Sequence, residues 1–270
     1  MPASTDVVIS TPDLPSPVPA LALEGITKSF GGFIAVKDVN LTFQPGAIYG
    51  IIGPNGAGKT TLFNLLSGFL KPSKGKLYHN GQDITTLPPE AIAQRGVVRS
   101  FQITSIFANL TIAENLVLPI QRREEGGTNF WSKSLWRRRH ADEIDDILDQ
   151  VGIPKAWRDR PASALPYGQK RSLELGISLA AKPDLLLLDE PTAGMTSHDI
   201  GRVTALIGRI ASGRTVIVVE HNLGVIADLA KEIVVMQQGQ LLTRGAYDDV
   251  RRDPRVIEAY LGTKGRRVHA

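Results

Sequence analysis

The sequence predicts an α/β fold: a mostly parallel sheet flanked by helices, with an antiparallel β portion and an inserted helical subdomain. Three patterns carry that expectation. An apolar stretch at 47–52 runs through a glycine-rich loop into a helical pattern, apolar strands alternate with helices from residue 169 onward, and residues 88–165 between them read as helical. At 270 residues the chain has room for one large domain or two intimate ones.

The elements follow in order. Short strands at 21–24, 39–43 and 47–52 are separated by glycine and the Pro45-Gly46 turn, and a helix over 60–67 is ended by Gly68. A strand at 76–79 leads into the tight turn Asn80-Gly81. In the helical insertion, Pro88-Pro89 opens a short helix and Thr111 with Glu114 forms a capping box. Leu135, Ile144, Ile147, Leu148 and Val151 share a helical face that Gly152 terminates, and the polar stretch 122–129 reads as a surface loop. Beyond it come helix 169–181, strand 185–189, helix 198–211, strand 215–219, helix 223–230 and strand 233–236. Strands that are apolar at nearly every position belong to a parallel sheet covered on both faces. A last strand at 240–243 and a final helix at 255–261 precede a basic tail, 263–270.

Composition narrows the possible functions. No apolar run approaches the roughly 18 residues that a spanning helix needs. With no cysteine in the chain, disulfides and thiolate metal sites are excluded and a reducing compartment is permitted. Residues 1–20 lack both periodicity and the layout of a secretion signal, and read as a disordered extension. The net charge is +4, and the basic clusters at 137–139 and 264–267 read as solvated faces, with no nucleic acid expected as partner.

The stretch with the most chemistry is Gly53-Pro54-Asn55-Gly56-Ala57-Gly58-Lys59-Thr60-Thr61. Its glycines let backbone N–H groups converge on an anion, which the positive end of the following helix reinforces. Lys59 reaches the β- and γ-phosphates, and the Thr60 hydroxyl is placed to ligate Mg²⁺, so the expected ligand is a nucleoside triphosphate with magnesium. The fold is then of the P-loop NTPase (RecA-like) kind. A second signal is the four-leucine strand that ends in Asp189-Glu190. Consecutive side chains on a strand point in opposite directions, so Asp189 is read as the metal carboxylate and Glu190 as the group that faces the attacking water.

Leu165-Pro166-Tyr167-Gly168-Gln169, twenty residues ahead of these carboxylates, resembles the signature motif of ATP-binding-cassette ATPases, commonly Leu-Ser-Gly-Gly-Gln. Phe30, Gln102 and His221 match other marks of that family in order, and the resemblance spans about residues 21–262. It implies an ATPase domain whose nucleotide core is 21–87 and 166–243, with a helical subdomain at 88–165 and a C-terminal helical segment at 244–262. It also implies that Phe30 stacks on adenine, that Gln102 senses Mg²⁺ and the attacking water, and that His221 bonds the γ-phosphate. Leu165, Tyr167, Gly168 and Gln169 would cover the ATP of a second copy, so that two cassettes enclose two nucleotides. Two positions depart from the pattern: Pro166 replaces the signature serine, and Thr196 stands where many cassettes carry an aspartate.

Within the family, Phe30-Gly31-Gly32, Arg99-Ser100-Phe101-Gln102, Glu220-His221-Asn222-Leu223 and the ending at 253–262 are similar to ATPase subunits of bacterial importers for branched-chain and other hydrophobic amino acids or amides. An exporter such as that for lipopolysaccharide is the alternative. The resemblance implies two transmembrane permease subunits, a second ATPase that is either identical or a sister chain, a periplasmic solute-binding protein acting indirectly, and a peripheral location on the cytoplasmic side of the inner membrane. Ile106-Phe107 reads equally as a pair of permease anchors or as subdomain core.

Overall fold

The computed structural model describes residues 18–100, 106–125 and 139–265. Two sheets organise it. The first is antiparallel, built from β1 (Leu21–Phe30), β2 (Phe33–Phe43), β4 (Lys74–His79) and β5 (Gln82–Asp83) in the order β2-β1-β4-β5. The second contains β3 (Ile48–Ile52), β6 (Val97–Ser100), β7 (Leu185–Asp189), β8 (Thr215–Val219), β9 (Glu232–Gln237) and β10 (Gln240–Gly245). Its order is β10-β9-β3-β8-β7-β6, parallel throughout except for the antiparallel edge strand β10.

The period of two along β7 sorts its leucines between two cores. Leu185 and Leu187 face a cluster with Leu62, Phe63 and Leu66 of α1 (Lys59–Leu66), together with the antiparallel sheet. Leu186 and Leu188 face the other cluster, with α5 (Tyr167–Ala180) and α6 (Ser197–Ile210). That second cluster extends into the helical subdomain, where α3 (Ile112–Glu125) and α4 (Ala141–Val151) pack on α5. Gly176 sits at their meeting point, where an added Cβ would come within 3.3 Å of both Ile147 and Leu116. The remaining helices are α2 (Pro89–Gln94), α7 (Leu223–Leu229), α8 (Tyr247–Arg252) and α9 (Pro254–Gly265).

The capping box forms as read: the Thr111 N–H donates to Glu114 Oε2 at 2.8 Å, and the Glu114 N–H donates to Thr111 Oγ1 at 3.1 Å. Four expectations are corrected. The first hairpin is far longer than its two apolar ends, because register shifts between Leu23 and Ser29 break the alternation that marks a strand. Residues 88–165 are not helical throughout, since Val97–Ser100 is a strand of the main sheet, paired in parallel with Leu185–Leu188. Residues 122–125 of the loop expected at 122–129 are helical instead, because α3 continues to Glu125, and 126–129 lie outside the described residues. The helix expected from 169 starts at Tyr167. Leu135 lies outside the described residues, as do residues 1–17. No helix among the described residues is long and apolar enough to cross a membrane.

Candidate functional site

Strands β3, β8 and β7 are neighbours and parallel, so their carboxyl ends share one edge of the sheet. Three segments distant in sequence meet there: the glycine loop after β3, Asp189-Glu190 ending β7, and Glu220-His221 after β8. Ligands of open α/β sheets bind at such an edge.

The loop is held by close backbone packing. A Cβ on Gly53 would lie 2.3 Å from the Met236 carbonyl, and one on Gly58 2.5 Å from that of Ala35, while Gly56 at φ +78° faces open space. No residue with a side chain fits at Gly53 or Gly58. Lys59 is buried, and its Nζ donates to the carbonyls of Gly53 at 2.6 Å and Pro54 at 3.1 Å. Burial pushes its pKa down from the usual lysine value, with Glu190 opposing that shift. Thr60 is exposed at the start of α1 and Thr61 half-buried behind it. Asn55, Gly56 and Ala57 line an open cavity with Gln237, Gln238 and Arg255, and the hydroxyl of Tyr260, in α9, accepts a bond from the Gly53 N–H.

The two carboxylates do diverge. Asp189 is 2% exposed and pairs with Arg99 Nη2 at 2.7 Å. Glu190 turns away through a left-handed backbone, φ +44°, and its Oε1 lies 2.5 Å from His221 Nε2. Glu220 is a buried carboxylate to which the reading of the sequence gave no role. It accepts from the Thr192 N–H and Oγ1 and from the His221 N–H, tying the turn after Glu190 to the His221 loop.

Phe30 is 45% exposed at the β1–β2 turn, with Lys28 Nζ 5.1 Å from its ring centre. Gln102 lies outside the described residues. The signature residues divide between two cavities: Pro166 is the N-cap of α5, Leu165 is buried, exposed Tyr167 lines a cavity with Glu190, and Gly168 and Gln169 line another with Asp199 and Arg202. That cavity shares no residue with the one beside the glycine loop. Ile106 packs against the core and Phe107 is exposed, which divides the pair that the sequence left open. Thr196 is the N-cap of α6, and its hydroxyl oxygen accepts from the Asp199 N–H.

The family model described as ABC transporter matches residues 36–193, and that of the branched-chain amino acid ATP-binding cassette transporter matches 240–265. The chain belongs to the ABC transporter ATPases, in the branched-chain amino-acid class. Among relatives of this ABC ATPase, BraF of Pseudomonas aeruginosa is described as a high-affinity branched-chain amino acid transport ATP-binding protein. It is 37% identical over 253 residues, 90% of this chain and 98% of BraF. LivG of Escherichia coli, described in the same words, is 36% identical with the same coverage. The fold of the cassette matches the ADP conformation of MJ1267, an ATP-binding cassette of an ABC transporter, at a TM-score of 0.79 and 30% identity, over 90% of this chain and 99% of that one.

Proposed function

We propose that this ABC ATPase hydrolyses ATP in a dimer of cassettes to drive uptake of branched-chain or other hydrophobic amino acids or amides through two permease subunits. The importer class is supported by the C-terminal match at 240–265 and by the relatives' descriptions.

The glycine loop and Lys59 fit a polyphosphate, because glycine-rich turns let successive N–H groups converge on an anion and Lys59 adds a positive charge beside them. The hydroxyl of Thr60 and the carboxylate of Asp189 are hard oxygen donors suited to Mg²⁺, with Gln102 as a further candidate. When bound, Mg²⁺ would neutralise the phosphate oxygens. Glu190 takes a proton from, or orients, the attacking water, and His221 holds the Glu190 carboxylate and offers its imidazole to the γ-phosphate. Phe30 presents its ring to the base.

Within one copy Pro54–Ala57 and Gly168-Gln169 line different cavities, which is the observation that supports the dimer. The N-terminus of α5 offers unpaired N–H groups and a positive dipole, and a second cassette supplies the phosphate that they face. Exposed Phe107 is the anchor offered to a permease, with a peripheral seat on the inner face of the membrane. The partner ATPase is identical or a sister chain, and a periplasmic binding protein delivers the solute. Co-purification of the chain with its membrane subunits, followed by ATPase assays over candidate solutes, tests the reading. Stimulation by leucine, isoleucine or valine with their binding protein is expected. A complex that ignores these and responds to an exported lipid would reject it.

A further inference from the structure

Arg99 lies on β6 opposite Leu187 of β7, so Asp189, two residues further along, lies on the same sheet face, the one that α1 covers. Its guanidinium is half-buried and forked. Nη2 donates to Asp189 Oδ2 at 2.7 Å, while Nη1 donates to Asn64 Oδ1 at 2.6 Å and Ser67 Oγ at 3.2 Å. The plane rests on the rings of Phe63 and Phe69, 5.0 and 5.6 Å from their centres. Side-chain exposure is 12% for Arg99 and 3% for Asp189, so the pair is removed from water, where its attraction is strong.

Asn64 lies four residues after Thr60 on α1, hence on the same helix face. A single side chain therefore spans the two elements that carry the oxygen donors of Thr60 and Asp189. It also places a full positive charge on one oxygen of the carboxylate. Among the described residues Oδ2 is the oxygen engaged in this way.

We propose that Arg99 is a positioning residue that shares Asp189 with the nucleotide-bound divalent cation, holding Oδ2, leaving Oδ1 to the cation, and fixing the spacing between Asp189 and Thr60. This rests on the reading of Thr60 and Asp189 as cation donors. Two consequences run in opposite directions. Loss of the guanidinium removes a competing charge, so the cation binds more tightly. It also frees the carboxylate to rotate, so hydrolysis slows. A merely structural residue, once lost, would weaken both.

The test is a Mn²⁺ titration followed by electron paramagnetic resonance, on the full chain with a non-hydrolysable ATP analogue, beside Mg²⁺-ATP turnover. Arg99→Met is expected to lower the Mn²⁺ dissociation constant about tenfold while turnover falls by about the same factor. Arg99→Lys keeps the charge without the fork, so its Mn²⁺ affinity should stay within about twofold of the parent while its turnover drops; it decides the matter if the Met variant does not fold. Mn²⁺ affinity that is unchanged or weakened in Arg99→Met overturns the proposal, as does undiminished turnover in Arg99→Lys. Failure of the parent chain to bind Mn²⁺ with the analogue overturns the site reading itself, and the Arg99 proposal with it.

Discussion

His221 Nε2 stands 2.5 Å from Glu190 Oε1, although 31 residues separate the two. The contact depends on backbone geometry at both ends. Glu190 sits at φ +44° with its N–H donating to the Val219 carbonyl at 2.8 Å, and Glu220 braces the His221 loop from below. A non-glycine residue in that region costs on the order of 1–3 kcal/mol, and such strain is found where a side chain has to be aimed.

Glu190→Gln keeps this geometry, because the amide oxygen still accepts from His221, and removes the proposed base. Hydrolysis should fall by roughly 10²–10⁴ while ATP affinity stays within about threefold. Steady-state turnover and binding of a fluorescent ATP analogue would separate the two, and near-normal hydrolysis would remove Glu190 from the mechanism.

Pro166 caps α5 with no hydroxyl and no N–H, at φ −57° and ψ 156°. A serine there would give the proposed shared site a donor and would also cap the helix, a gain of about 1 kcal/mol. Pro166→Ser should therefore raise both turnover and Tm. Turnover that rises only at high protein concentration would place the gain in dimer closure. A higher Tm with unchanged kinetics would show that the phosphate contact is immaterial here.

The glycine loop could be read directly because its turn needs contiguous residues, with Gly53 and Gly58 where no Cβ fits. The β7 carboxylates were legible for a similar reason, since four leucines announce the buried strand that carries them. What stayed hidden depends on contacts far along the chain. Strand β6 is four residues long and includes an arginine, half-buried where Asp189, ninety positions later, receives it. Glu220 likewise has no visible role until the fold delivers Thr192 to it, 28 residues away. In the first hairpin, the bulges along β1 erased the alternation itself.

Thr196 shows the reverse case, a departure visible in sequence whose consequence is structural. Its Oγ1 accepts from the Asp199 N–H at 3.3 Å, as an aspartate could, and also donates to Asp199 Oδ2 at 2.8 Å, which an aspartate could not. Thr196→Ala should cost about 1 kcal/mol in urea unfolding, and Thr196→Asp should also lose stability, because its carboxylate cannot donate to Asp199 Oδ2 and repels it. Equal stability of all three proteins would show that α6 needs no cap.

The helical subdomain is held at Glu143 of α4, which meets Arg123 of α3 at 2.9 Å and Lys182, just past α5, at 3.2 Å, with His140 Nδ1 3.3 Å away. Burial works to raise the Glu143 pKa, but the hydrogen bonds and charges of Arg123 and Lys182 outweigh it and hold the carboxyl below the ordinary 4.5. A carboxyl depressed in the folded state adds stability that is complete above its unfolded value and is lost as the pH falls through the folded value. Glu143→Gln should therefore cost about 1–2 kcal/mol near neutral pH. Its deficit in Tm relative to the parent should persist down to about pH 5 and close only at more acid pH, below the ordinary glutamate value. Thermal melts of both proteins from pH 7 to pH 3 would check this, and a deficit that does not change over that range would mean that the carboxylate's charge contributes nothing to the packing of α3 against α4.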